Sequence, residues 1–339
     1  MNYNLKCINK DFLVREVYLE QQMLEKNEAN YTLLELKKQN ISTFDAINMI
    51  AEALQIESNL ISYSGLKDED AISEQLISIK KILSNDDLKK INCYNDISVG
   101  FRGYSNETLN IGRLHGNVFS IILRNINERD LEKIKKVEDK KLRVQSINYY
   151  DDQRFGIPNS KYNTHIIGKY ILEENWDKAF EEYIQSGNSP SERERMIEFR
   201  KKNTARECFY ECLDCRKIAF FLNSYMSELW NKQVNEIVIQ STAEHILFDE
   251  NIMPLIFIGN GSKIVLEDNY LTYEYFVVDD NSTMYKKSNK RSIVLYTDVM
   301  VGRCCKDELF PNKFKISLNF FLPSGCYATM LIKQLFYKL

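Results

Sequence analysis

"YSGLKDEDAISEQLISI", residues 63–79, places a Gly-Leu-Lys-Asp turn between two strand-like runs and leaves Asp68 at its tip. Taken alone, an aspartate in a glycine-containing turn is a solvated turn residue, since Asp and Gly are residues that tight turns favour. Its neighbours supply a context. Upstream, Ser42 or Thr43 caps a helix whose Ile47, Ile50, Ala51 and Leu54 recur at i, i+3, i+4 and i+7, one buried face. The strand "LISY" then leads into the turn. Before that helix, "DFLVREV" from Asp11 reads as a half-buried edge strand, with "YTLLELKK" from Tyr31 as a second strand and a candidate to pair with it.

Downstream, "NVFSIILRNI" from Asn117 is a nearly continuous apolar run of strand length, the pattern of a strand covered on both faces at the centre of a sheet. A helix is expected from about Asn127, with Leu131, Ile134 and Val137 on one side. The extended segment and loop "VQSINYYDDQRFG" follow. Residues 1 to about 156 therefore read as one mixed unit of helices and strands. The middle changes character: "SGNSPSERERM" supplies Ser189 as an N-cap, Pro190 at the first helical position and Glu192 three residues after the cap. From there a long helical stretch is expected to about Trp230. Asn260-Gly261 within "IFIGNGSKIVL" reads as a hairpin turn. From Phe314 the chain alternates like a strand, then turns helical, a candidate to rejoin the first unit.

Composition bounds the function. The 339 residues, 44% hydrophobic and 27% charged with only 12 Gly and 5 Pro, describe a globular chain of about two domains. "MNYNLKCINKDF" lacks the apolar region of a secretory leader, and no apolar run is long enough for a membrane helix, so a cytoplasmic protein without a membrane partner is expected. Eight cysteines then read as reduced, small hydrophobes. A formal charge of −3 gives no sign of a polyanionic partner, although a balanced total can conceal a local basic patch.

Gly-x-Gly-x-x-Gly, Walker A and His-Glu-x-x-His patterns are absent, and His115, His165 and His245 stand apart in the sequence. Cys208, Cys212 and Cys215 reproduce the C-x3-C-x2-C spacing of radical-SAM enzymes. The same spacing is one face of a helix, whereas an iron–sulfur cluster needs a loop that wraps its thiolates around the irons. Helix cysteines are the preferred reading, and the radical-SAM enzyme remains an alternative.

Five segments in order then carry a resemblance: "LKCINKDFLVRE" at 5–16, "LKKQNIST" at 36–43, "YSGLKDEDAISEQ" with Ala71 and Gln75, "LHGNVFSIILR" at 114–124 and "NYYDDQRFG" at 148–156. Together with "FLPSGCYAT" at 321–329 and, more loosely, "CRKIAFFLN" at 215–223, they make the chain resemble the TruD family of tRNA pseudouridine synthases. The resemblance implies an α+β fold: a pseudouridine-synthase catalytic domain with a mixed, largely antiparallel sheet, formed by 1–159 and 306–339. An inserted TruD α+β domain occupies 160–305, and RNA is expected between the two.

The implied activity is isomerisation of uridine to pseudouridine in tRNA, at position 13, with no cofactor, no metal and no protein partner. Asp68 is the implied catalytic carboxylate, acting as nucleophile at C1′ or base at C2′ of the ribose, ionised at neutral pH. The base must leave the stack to be reached. Tyr150, where many relatives carry Phe, is the implied stacking platform, supported by Asn148, while Lys6 is the implied cation beside the carboxylate. Lys38, Lys67, Arg113, His115, Asn117, Gln153 and Arg154 lie in matching motifs and are candidates for RNA contacts, metal ligands being none. The chain departs from the family pattern at Asn9, at Asn30-Tyr31, at Asp151 where Gly is usual, and at Lys333-Gln334 where Arg-Glu is usual. Asp151 and Asp152 place negative charge beside the expected RNA path. A noncatalytic RNA-binding or RNA-folding protein on the same scaffold is the other reading, in which Asp68 is dispensable.

Overall fold

Buried and exposed side chains alternate along Phe12–Tyr18 and again along Phe314–Pro323, as the two-residue period of a pleated strand requires. In the computed structural model both are strands of one sheet. The structure describes residues 2–19, 23–65, 67, 69–109, 114–156, 161–186, 190–241, 244–259, 262–279 and 283–338. Asp68, Arg113, Ser189 and the Asn260-Gly261 pair lie outside the described residues.

Along the chain run β1 (Phe12–Tyr18), β2 (Tyr31–Gln39), α1 (Thr43–Leu54), β3 (Ile61–Tyr63), β4 (Ile72–Ile79), α2 (Asn85–Ile91), β5 (Ile97–Ser105), β6 (Leu114–Ile126), α3 (Leu131–Lys135) and β7 (Lys141–Ile147). Then come α4 (Thr164–Leu172), α5 (Trp176–Ile184), α6 (Pro190–Arg200), α7 (Ala205–Cys212) and α8 (Cys215–Ser241). Four strands follow: β8 (His245–Phe248), β9 (Leu255–Ile258), β10 (Tyr270–Val278) and β11 (Met284–Ser292). The chain closes with β12 (Val294–Val301), β13 (Cys305–Lys306), β14 (Phe314–Pro323) and α9 (Ala328–Lys338). Two compact units result, the first from 1–144 and 297–326, the second from 145–296 and 327–338. No helix among the described residues is long and apolar enough to cross a membrane.

The first unit is built on a sheet of order β5-β2-β4-β1-β6-β14-β12-β7, with β3 added on β4 and β13 on β14. β1 and β4 run parallel, and β1–β6, β2–β4, β2–β5 and β6–β14 run antiparallel. This is the mixed, largely antiparallel sheet of the expected α+β class. Helix α1 starts where Ser42 accepts the Asp45 amide, and it buries Ile47, Ile50, Ala51 and Leu54. These meet Leu34 and Leu36 of β2 and Ile77 and Ile79 of β4, alternate residues that share a sheet face. On the central strand, buried Arg124 ties the two chain ends of the unit together. Its Nε donates to Asp11 at 2.8 and 2.9 Å and its Nη1 to Asp307 at 2.8 Å.

In the second unit α8 is the spine. Its Phe221 and Leu222 close one hydrophobic cluster with α4, α5 and α7, and its Trp230, Val234 and Val238 close another with β9 and Met330 of α9. Gly168 permits the closest approach, since a Cβ there would lie 1.9 Å from the Phe221 carbonyl oxygen.

Several expectations are corrected. β1 is an interior strand between β4 and β6, and it does not pair with β2, because β4 inserts between them. The helix after Asn127 is a short turn followed by the five residues of α3. The long helical stretch is three helices: Thr204 and Glu207 form a capping box that starts α7, and Leu213 leaves the helical conformation before α8. β9 pairs with β8 rather than with a strand after residue 261, where Ser262–Leu266 holds no strand. β14 rejoins the first unit as expected, whereas α9 packs in the second.

Candidate active site

In the first unit Gly65 and Lys67, the described residues before Asp68, are fixed by their neighbours. The Lys67 backbone amide donates to Thr43 Oγ1 at 3.0 Å, and Thr43 donates to Gln75 Oε1 at 3.3 Å. Gln75 in turn donates from Nε2 to the Gly65 carbonyl at 3.5 Å. Thr43 and Gln75 are each 1% exposed, so this chain of bonds is shielded from competing water. The Lys67 ammonium forms an ion pair with buried Glu16 of β1. Burial pushes the Glu16 carboxyl up, while Lys67 and the Leu76 amide, 3.2 Å away, pull it down. Lys67 is thus an anchor of the turn rather than an open cation.

The other first-unit candidates divide. Lys38 is 1% exposed and donates to the Ile41 carbonyl at 2.7 Å, holding the loop before α1; its burial is a correction to its expected place among surface contacts to RNA. Half-buried Lys6 adopts a left-handed backbone (φ 54°) and sets its ammonium 4.6 Å from the Phe12 ring centroid. His115 is exposed and stacks on Phe321 at 5.2 Å. Gly116 follows for a steric reason: a Cβ there would lie 2.2 Å from the Leu322 carbonyl oxygen of β14. Asn117 is half-buried with Oδ1 unpartnered among the described residues.

The second unit gathers Asn148, Tyr150 and Arg154 around a residue that the sequence reading missed. Arg291, at the end of β11, places its guanidinium 4.1 Å from the Tyr150 ring centroid and 5.5 Å from that of Trp230. Its Nη2 donates to Asn148 Oδ1 at 2.8 Å. Asn148, 3% exposed, also donates to the Ser292 carbonyl at 2.9 Å and accepts from Trp230 Nε1 at 3.3 Å. Asn231 clamps the Tyr150 backbone from both sides, accepting its amide and donating to its carbonyl, each at 2.9 Å. Arg154 lies 5.9 Å from the Tyr150 centroid and 5.5 Å from that of exposed Phe220, while Gln153 is exposed on the turn Asp152–Arg154. Tyr150 is therefore held on its backbone and against a cation, the arrangement of a rigid aromatic platform.

The negative charge of Asp151 turns inward. It is 3% exposed, caps the following turn by accepting the Asp152 amide, and meets Lys333 Nζ at 2.8 Å. Lys333 also bonds Glu250 at 2.8 Å, and burial pushes the Glu250 carboxyl up to about 7. Carboxylate oxygens of Asp151, Asp152 and Glu250 lie within 4.8 Å of one another, near enough to share a cation, and Lys333 already supplies one. The two departures at 151 and 333 are thus partners. Gln334 is equally constrained: its Oε1 accepts the Ile147 amide at 2.7 Å and its Nε2 donates to the Ile147 carbonyl at 2.8 Å.

Cys208 and Cys212 sit within α7, 0% and 4% exposed among Phe209, Tyr183 and Ile218, and burial raises both thiols. Buried thiols held at high pKa are poor thiolate donors, which favours their reading as helix packing.

The chain is similar to known proteins over most of its length. The chain fits the family model described as tRNA pseudouridine synthase D (TruD) over residues 1–219. It is 28% identical to a Methanococcus maripaludis protein named probable tRNA pseudouridine synthase D 1, across 97% of this chain and 98% of that protein. It is 25% identical to the tRNA pseudouridine synthase D of Aquifex aeolicus, across 99% and 98% of the two chains. A solved Methanosarcina mazei structure assigned to TruD superposes with a TM-score of 0.61 at 21% identity, covering 98% of this chain and 93% of its own, a likeness of fold.

Proposed function

The chain belongs to the TruD family of tRNA pseudouridine synthases, and from that membership we propose that it converts uridine to pseudouridine at position 13 of tRNA, with Asp68 as the catalytic carboxylate. The reaction is an isomerisation: the N1–C1′ bond breaks, the uracil turns, a C5–C1′ bond forms, and the C5 proton leaves. A carboxylate suffices to begin it, by attack at C1′ or by proton removal at C2′. What supports Asp68 is its place in the family motif, directly after Lys67, which with Gly65 is fixed to Thr43, Gln75 and Glu16.

In this reading Tyr150 stacks on the extruded uracil, and Asn148 acts through Arg291, which it holds against the Tyr150 ring. Lys6 is the cation assigned to the carboxylate, and Arg113, His115, Asn117, Gln153 and Arg154 keep their assignment to RNA contacts. The catalytic domain is taken as 1–159 and 306–339 and the inserted domain as 160–305, in a cytoplasmic enzyme that needs no cofactor. The test compares wild type with Asp68→Asn on unmodified tRNA transcripts, mapping pseudouridine by carbodiimide-dependent primer-extension stops. A stop at position 13 made by wild type alone supports the assignment. Equal modification by both removes Asp68 from its role, and binding by both without modification turns the reading to a noncatalytic RNA-binding protein.

A further inference from the structure

β10 and β11 pair antiparallel in continuous register from Tyr270 opposite Ser292 to Val278 opposite Met284. Cross-strand partners share a face and faces alternate along each strand, so Tyr273 and Tyr275 lie on the same side as Tyr285, Lys287, Asn289 and Arg291. That face carries no carboxylate. The opposite face does, with Glu274 paired to Lys286 at 2.8 Å. In a chain of net charge −3, a ribbon face whose only charged residues are Lys287 and Arg291, among its tyrosines, Leu271, Val277 and Asn289, is a local reversal of sign.

The face is continuous with the Tyr150 platform. At its inner end Arg291 covers Tyr150 and Tyr273 meets Trp230 edge-on at 5.8 Å. Tyr273 and Tyr275 then lie 5.6 Å apart, tilted by 30°. At the outer end Lys287 sits 5.2 Å from the Tyr285 centroid, and Tyr285, Lys287 and Asn289 are exposed. Aromatic faces with interspersed cations are what unpaired nucleotides use, the bases stacking and the phosphates pairing. A duplex keeps its base faces covered and has no use for the tyrosines.

We propose that this face of the β10–β11 ribbon is a track for single-stranded RNA, binding the unpaired nucleotides that flank the target uridine of the tRNA. The inference rests on the activity proposed above. It extends that site along the ribbon and assigns binding to Tyr285 and Lys287.

The test uses the full chain with two probes, a labelled single-stranded oligoribonucleotide followed by fluorescence anisotropy and an unmodified tRNA transcript followed by initial rates. Tyr285→Ala/Lys287→Glu alters the face, and Lys290→Glu, exposed on the opposite face, makes the same change in charge. The face variant is expected to bind the oligonucleotide about tenfold more weakly and to raise KM for tRNA, while Lys290→Glu changes either by less than about threefold. Equal effects of the two variants, or no effect of either, overturn the track. A wild type that forms no pseudouridine yet loses oligonucleotide affinity through the face variant alone sinks the activity and keeps the track. Normal tRNA kinetics and affinity in the face variant do the reverse.

Discussion

Lys67 and Glu16 are ion-paired with side chains 9% and 0% exposed, and Lys67 is the residue immediately before Asp68 in the chain. Desolvating two charges is costly, and a surface turn has no need of it. The pair is sensible if the turn must hold one conformation against the sheet, since β1 supplies Glu16 and the turn supplies its partner. The same carboxylate accepts the Leu76 amide of β4, so turn and two neighbouring strands meet at one group.

Lys67→Met strands that carboxylate. Breaking one side of a buried pair costs about 3–5 kcal/mol, less whatever Glu16 recovers by taking up a proton. Without Lys67 the folded-state pKa of Glu16 rises further above its unfolded value, so its contribution to stability is kept below the unfolded pKa and lost as pH rises through the folded one. Urea denaturation should therefore show a larger deficit for the variant at about pH 8 than at about pH 5. A deficit independent of pH means the pair does not govern Glu16.

Arg291 is expected to act as a positioning residue for Tyr150. Arg291→Lys keeps the charge but loses the planar group that stacks on the ring and bonds Asn148. The turnover number should fall by about tenfold or more, with Tyr150→Phe near wild type and Tyr150→Ala losing the ~1–3 kcal/mol of a stacked base. A double variant Arg291→Lys/Tyr150→Ala should lose little beyond Tyr150→Ala. Additive losses in that cycle contradict action through the ring.

What could be read from the sequence was local. Ser42, the four apolar positions of α1 and the turn before Asp68 announce themselves within a dozen residues, and all depend on short-range chemistry. The insertion of β4 between β1 and β2 depends on pairings made across more than 30 residues, and the strands' own alternation says nothing about neighbours. Arg291 was hidden for a related reason. It is one cation among several in "MYKKSNKRS": alternation separates it from Lys290 but leaves it on the same face as Lys287, and only its tertiary neighbours Tyr150 and Trp230 bury it while Lys287 stays exposed. The breaks in the middle helices did leave a signal, the Thr204 and Glu207 pair at capping-box spacing, which a reading by apolar periodicity overlooks.

Glu250 gives the second unit a pH dependence of known sign. Its folded-state pKa of about 7 lies above the unfolded carboxylate value, so its contribution to stability is complete below the unfolded value and declines as pH rises to about 7. Lys333, Asp151 and Asp152 face it, and Lys333 moderates the shift without cancelling it. Glu250→Gln should flatten the melting temperature between about pH 5 and 7.5, gaining of order 1 kcal/mol relative to wild type at the upper end. Parallel profiles for the two proteins rule out Glu250 as the source.

Gln334 tests whether the departures from the family pattern are matched to this chain's own packing. Its amide offers one acceptor to the Ile147 N–H and one donor to the Ile147 carbonyl, with the Met330 carbonyl 3.2 Å from the same nitrogen. Gln334→Glu places a carboxylate, which has no donor when ionised, against two carbonyl oxygens at a position 1% exposed. Protonated, the new side chain still donates to Ile147 and accepts from it. Its folded pKa is therefore raised, and its share of stability is kept at acid pH and lost as pH rises through that value. Chemical denaturation should find the variant near wild type at about pH 5 and about 2–3 kcal/mol weaker at about pH 8. Equal stability at both values means the pocket accepts an ionised carboxylate, and the Ile147 bonds do not select the amide.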